Sequence, residues 1–256
     1  MTINEELRKL YLKKSKHSNY QVLSKSLAKI IKQDDVITQT RYEQERLEFI
    51  KNNIDINDRT VLDIGGNTGY FVFELLEAGA KSAHLYEGNH DHCEFVELSG
   101  KALGIDNRLK VTNRYYDFNN TEASRYDVTL LLNVLHHIGD DYHEQRISIL
   151  EAKNTIIEQL NWMSRYTEML VFQLGYNWQG NPGKCLFQNG TKSEMIEFIK
   201  NGVLDNWDIK SIGIAEKHDG KIKYVELNKN NIERDDSMGE FLNRPLFILE
   251  SRTSVK

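Results

Sequence analysis

Val61-Leu62-Asp63-Ile64-Gly65-Gly66-Asn67-Thr68-Gly69-Tyr70-Phe71 is the stretch on which the reading of the fold turns. A short apolar run ended by glycines is the pattern of a buried parallel strand that runs into a turn. YFVFELLEAGA (70–80) then reads as a helix, with Gly79 near its C-terminal end. A strand, a glycine turn and a helix in that order make the first half of a βαβ unit.

The same alternation continues downstream. SAHLYEG (82–88), YDVTLLLNVLHHI (126–138) and EMLVFQLGY (168–176) read as strands, and RLKVTNRYYDF (108–118) as a strand plus a loop. HCEFVELSGKALG (92–104), HEQRISILEAKNTIIEQLNWM (143–163) and KSEMIEFIKNG (192–202) read as helices. Two late strands, WDIKSIGIAE (207–216) and RPLFILES (244–251), have no helix between them, so they read as a closing antiparallel hairpin. The pattern is α/β: a seven-stranded mixed sheet, mostly parallel, with helices on both faces. Residues 217–243 read as a long loop, a length that in a compact domain usually has a function. Upstream, Leu7, Leu10, Tyr11 and Leu12, then Leu23, Leu27, Ile30 and Ile31, then RYEQERLEFIKNN (41–53) carry helical spacing. The expected organisation is an N-terminal helical cap over 1–50 and a core over 51–256.

Composition narrows the function classes. The chain has 256 residues, with 33 Lys+Arg against 38 Asp+Glu, a net charge of −5. An acidic balance does not draw polyanions, so no nucleic-acid partner is expected. Cys93 and Cys185 stand far apart and give neither a disulfide framework nor a zinc spacing. The N-terminus lacks an apolar signal region and no run approaches about 18 apolar residues. A cytoplasmic protein without membrane contact is the expectation, as monomer or homodimer.

The glycine turn does not fit the dinucleotide fingerprint, since its glycines fall at 65, 66 and 69, and no Gly-Lys-Ser/Thr follows for a P-loop. Asp63 through Gly69 instead resembles motif I of the class I S-adenosylmethionine-dependent methyltransferases, Asp/Glu-x-Gly-x-Gly-x-Gly. Asn67 replaces the middle glycine, and Asn tolerates left-handed backbone well. The resemblance covers residues 58–175 and includes three further signals in order. Glu87 follows Asp63 by 24 residues (87 − 63) and, by the resemblance, accepts the ribose hydroxyls. Asp117 and Phe118 match the adenine site. Asn133-Val134-Leu135-His136-His137-Ile138 matches the end of the fourth strand, facing the transferred methyl. The resemblance therefore implies a Rossmann-like fold, S-adenosylmethionine as cofactor and S-adenosylhomocysteine as product. The implied cofactor contacts are Asp63, Gly65, Gly66, Asn67, Gly69, Phe71, Glu87, Gly88, Asn89, Asp117, Phe118 and Asn133.

Methyl transfer needs a nucleophile held in line and, for an amine or hydroxyl, an acceptor for its proton. A neutral imidazole supplies that near pH 7. Relatives acting on phosphorylated amino alcohols carry one histidine in an Ile-Leu-His-Leu context, which aligns with His137. His137 is thus the candidate base, with His136 orienting it or touching substrate. Tyr20 or Tyr42 is the candidate partner, and Tyr42 is taken as catalytic. Arg41 and Arg46 read either as an anion clamp or as an exposed helix face with Glu43, Glu45 and Glu48. Tyr176, after the fifth strand, is a candidate wall of the substrate site. Asp117 reads equally as an Asx turn. His136, His137, His143, Asp140 and Asp141 match no zinc spacing, so no metal is expected. The expected activity is N- or O-methylation of a small polar metabolite, phosphorylated or sugar-derived, similar to enzymes of bacterial surface-polysaccharide clusters. The competing classes are an RNA methyltransferase, a nicotinamide oxidoreductase and a non-catalytic cofactor-binding partner.

Overall fold

The computed structural model describes residues 2–13, 20–31, 38, 40–120, 124–140 and 147–253. His143 and Asp141, weighed above as metal ligands, lie outside the described residues. Two compact units emerge, Met1–Leu47 with Asp55–Tyr116 and Glu48–Ile54 with Asp117–Lys256. Among the described residues there are eight strands, three in the first unit and five in the second.

The first unit contains α1 (Ile3–Tyr11), α2 (Lys25–Ile30), the first turn of α3 (Glu43–Asn53), β1 (Thr60–Ile64), α4 (Tyr70–Glu77), β2 (Ser82–Glu87), α5 (His90–Leu103) and β3 (Leu109–Asn113). β1 pairs parallel to β2, with Asp63 opposite Leu85, and β2 pairs parallel to β3. Val61, Leu62 and Leu85 of the strands and Phe73, Leu75 and Phe95 of α4 and α5 are buried to 1% exposure or less, the apolar packing of helices on strands that a parallel sheet demands. α5 starts at Asn89, whose Oδ1 accepts from Asp91 and His92 N–H, and stops at Gly104 in left-handed geometry. The Tyr11 ring of α1 lies 5.5 Å from the Phe95 ring of α5, and Lys13 Nζ is 2.6 Å from Asp91 Oδ1. Lys25 N–H, at the start of α2, donates to Glu74 Oε1 of α4 at 2.6 Å.

The second unit contains the rest of α3, β4 (Tyr126–Leu132), α6 (Ile149–Met163), β5 (Thr167–Gln173), α7 (Lys192–Val203), β6 (Trp207–His218), β7 (Lys221–Glu226), α8 (Gly239–Leu242) and β8 (Leu246–Ser251). β4 and β5 are parallel, β8 lies antiparallel between β5 and β6, and β7 pairs antiparallel with β6. The capping boxes Ser148/Glu151 and Thr191/Glu194 start α6 and α7. Gly213 of β6 admits α3: a Cβ there would stand 2.8 Å from the Phe49 ring.

Two expectations need correction. The sheet has eight strands rather than seven, and 217–243 is not one loop. The extra strand, β7, begins after Asp219-Gly220, both at positive φ (49° and 79°). A two-residue Asp-Gly turn matches the twist of a hairpin and sends the chain straight back along β6.

Candidate functional site

In the first unit the polar groups gather where β1 and β2 end, which is where open α/β sheets bind ligands. Gly65, Asn67 and Gly69 all have positive φ, at 72°, 53° and 80°. Gly65 N–H donates to Tyr86 O at 2.8 Å, so the turn folds back over the strand end. Gly66 lies on the carboxylate below it: a Cβ there would be 2.8 Å from Asp63 Oδ2 and 2.6 Å from Leu85 Cδ1. Asp63 is 2% exposed, and its Oδ2 has no hydrogen-bond partner among the described residues. Burial, then the nearby Glu87, raise the Asp63 carboxyl to about 7, against the pull of Arg46. Glu87 Oε2 accepts Asn67 N–H at 2.9 Å and its Oε1 accepts Asn89 N–H at 2.7 Å, which ties the turn to the start of α5. Gly88 faces Tyr115, whose ring would be 2.7 Å from a Cβ.

The cap residues have separate surroundings. Arg46 is buried, with its guanidinium 5.1 Å over the buried Phe71 ring, so it does not belong to an exposed charged face. Arg41 instead lies 4.6 Å over the ring of exposed Tyr20. Tyr42 is half-buried at φ 57°, and its N–H donates to Thr40 Oγ1 at 2.9 Å. Gln21 was not foreseen. Its Oε1 accepts from Thr68 Oγ1 (3.1 Å) and from Tyr70 N–H (3.0 Å), capping α4 beside the glycine turn, while Tyr11 Oη donates to its carbonyl oxygen.

In the second unit a polar cluster lies at the carboxyl ends of β4 and β5. Asn133 leaves β4 at φ 62°. His136 is 3% exposed, and its Nδ1 accepts Gly175 N–H at 3.3 Å, leaving its proton on Nε2. Burial, then His137 and Arg244, push its pKa well below the ordinary imidazole value, so the ring is neutral. His137 is half-buried, its ring 4.3 Å from His136 and its Nδ1 3.9 Å from Asp140 Oδ2. Trp178 Nε1 donates to Ile138 O at 2.7 Å and holds the loop after β5 on the histidine turn. Tyr176 is buried. Its hydroxyl donates to Asn243 O at 2.8 Å, and the Arg234 guanidinium lies 5.1 Å over its ring. Asp117 closes the Asx turn, its Oδ1 accepting Asn119 N–H at 2.9 Å. Phe118 is buried, edge-on to Trp162 at 6.2 Å.

Comparison with known proteins adds to this geometry. No family model matches the chain. WbdD, a bifunctional kinase-methyltransferase, superposes with TM-scores of 0.61 and 0.60 in two crystal structures, over 95% of this chain and 46% of WbdD, at 12% and 13% identity. This chain has the class I methyltransferase fold. MccD superposes over 82% of the chain and 97% of its own length, with a TM-score of 0.50 and 13% identity. In sequence, a tRNA U34 carboxymethyltransferase of Helicobacter acinonychis (strain Sheeba) is 28% identical over 101 residues, 35% of each protein. The chain thus spans about a third of the length of that curated relative.

The methyltransferase fold implies S-adenosylmethionine, and the residues present fit it. Asp63 Oδ2 is a buried acceptor without a partner, which an ammonium group would complete. The turn above it has no room for side chains at Gly66. Among the described residues, no helix of this methyltransferase-fold chain is long and apolar enough to cross a membrane.

Proposed function

We propose that this chain transfers the methyl group of S-adenosylmethionine to an amine or hydroxyl of a small polar metabolite, phosphorylated or sugar-derived, of the kind used in surface-polysaccharide synthesis. The observation that carries the reading is the unpartnered Asp63 carboxylate beneath a glycine turn in a class I methyltransferase fold. Asp63 and the 65–69 turn hold the amino-acid end of the cofactor. Arg46 offsets the negative charge there. Glu87 serves the ribose, and Asp117 with Phe118 serves the adenine. The cofactor, when bound, supplies an electrophilic methyl on a sulfonium.

The rest of the chemistry is proton management by the chain. His137 takes the acceptor's proton, a contribution on the order of 10²–10⁴ in rate. The imidazolium formed is compensated by Asp140. His136, with Nδ1 already accepting a backbone N–H, orients its neighbour rather than shuttling protons.

Calorimetric titration with S-adenosylhomocysteine and with NAD tests the reading. Binding of the first alone is expected, weakened by Asp63→Ala and by Glu87→Ala. Binding of NAD alone, or of neither, would overturn it. The match to a tRNA-modifying enzyme supports a second reading, methyl transfer to RNA. Filter binding of tRNA at low salt separates the two, since the net charge of −5 argues for no retention.

A further inference from the structure

Three side-chain hydrogen bonds close a ring at the carboxyl ends of β4 and β5. Arg244 Nη1 donates to Asn133 Oδ1 at 2.7 Å. Asn133 Nδ2 donates to Gln173 Oε1 at 3.0 Å. Gln173 Nε2 donates to the carbonyl oxygen of Arg244, also at 3.0 Å. A guanidinium has donors only, so the ring runs in this one direction and fixes both carboxamides. The backbone is fixed as well, because Asn133 N–H donates to Gln173 O at 2.8 Å. Glu240 holds the other side of Arg244, accepting from its Nε at 3.0 Å and from its Nη2, and it also accepts Tyr176 N–H. None of these partners is near Arg244 in sequence except Glu240; Asn133 is 111 positions away.

The ring has a chemical consequence. An asparagine that recognises an amine does so with its oxygen, as an acceptor. Here that oxygen already accepts from a guanidinium, whose positive charge opposes a second, cationic donor, and Nδ2 has one N–H that the ring does not use. Asn133 makes no other side-chain hydrogen bond among the described residues. The neighbouring loops carry two more cations: Arg234 lies over Tyr176 and pairs with Asp236 at 2.6 Å, and Lys184 lies 4.7 Å over Trp178 and donates to the neutral Gln179 Oε1. His136, inside this wall, is neutral. Of the acidic groups close by, Glu240 is bound to Arg244, while Asp140 and Asp236 have side chains 38% and 85% exposed. A protonated amine meets donors and cations here, whereas an oxyanion meets complementary partners.

We infer that Arg244, through the ring with Asn133 and Gln173, is a positioning residue that makes this end of the sheet select an acceptor bearing an oxyanion, phosphate or carboxylate, over one bearing an ammonium group. The inference rests on the methyl-transfer reading above and narrows its substrate class. It also moves the anion-recognising role from Arg41 and Arg46 to the segment before β8.

The test uses the full chain saturated with S-adenosylhomocysteine, titrated calorimetrically with inorganic phosphate, acetate or ethanolamine at constant ionic strength. Phosphate or acetate is expected to bind and ethanolamine not. Arg244→Gln is expected to weaken anion binding about tenfold or more, and Arg244→Lys to retain part of it. Because Arg244→Gln can disturb folding, Asn133→Asp is the second variant. It keeps an acceptor for Arg244 but adds a negative charge, so it is expected to lose the anion while keeping the cooperative urea unfolding of the wild-type chain. Ethanolamine binding, no anion binding to the wild-type chain, or equal anion binding to wild type and both variants would each overturn the inference. Failure of S-adenosylhomocysteine to bind the wild-type chain would instead overturn the underlying methyl-transfer reading, and the inference with it.

Discussion

Asp63→Asn should change how the stability of the protein depends on pH. In the folded chain burial and Glu87 raise the Asp63 carboxyl from its ordinary 3.8 to about 7. A raised carboxyl binds its proton more tightly in the folded state than in the unfolded one. Stability from this group is therefore complete below about pH 4 and is lost progressively as pH rises towards 7. At 1.36 kcal/mol per pH unit, the interval from 3.8 to about 7 corresponds to a loss on the order of 4 kcal/mol. The carboxamide that replaces this carboxyl does not titrate, so the variant should gain on the wild type by up to that amount between pH 4 and pH 8. A bound ammonium group favours the ionised carboxyl, so S-adenosylhomocysteine affinity in the wild type should rise with pH up to about 7 and then level. Urea unfolding at pH 4, 5, 6, 7 and 8 measures the first effect, and calorimetry at pH 5, 6, 7 and 8 the second. Parallel stability curves for the two proteins, with an affinity flat between pH 5 and 8, would refute the assignment of Asp63 as a buried titrating acceptor.

Three further outcomes follow from the geometry. His137→Ala should lower turnover on the true acceptor at pH 7 on the order of 10²–10⁴-fold while leaving S-adenosylhomocysteine affinity within about twofold, as read by parallel kinetics and calorimetry. Gly66→Ala drives a methyl group against Asp63 and Leu85 and should cost about 1–3 kcal/mol in urea unfolding, with loss of cofactor binding. Gln21→Ala removes the acceptor shared by Thr68 and Tyr70, and hydrogen exchange at the Tyr70 amide should quicken by about one to two decades, the equivalent of 1–3 kcal/mol.

The glycine turn was legible because its conformation is written in its residue types. Gly65, Asn67 and Gly69 take left-handed backbone, and those are the residues that do so at least cost. The buried strands were legible for a similar reason, since Val61-Leu62 and Leu130-Leu131 are apolar without alternation. β7 was missed because Lys221, Lys223 and Glu226 give it the look of a solvated loop, although Asp219-Gly220 marks a hairpin. Arg46 was ambiguous among the glutamates of α3, because whether a charge on a helix is buried depends on what lies opposite, here Phe71. Gln21 had no local signature, and the only local one of Arg244 is its pairing with Glu240 four positions before it. Their partners Thr68 and Asn133 are 47 and 111 positions away, and one chain read in order does not bring such groups together.

The place of β8 bears on how the protein is made. Leu246–Ser251 lies between β5 and β6, yet it leaves the ribosome after both of them. Until it arrives, two apolar edges wait unpaired, each able to recruit a strand from another nascent chain. Chaperone demand during synthesis should therefore peak before Leu246–Ser251 emerges, and chains stopped just short of Leu246 should be the aggregation-prone species.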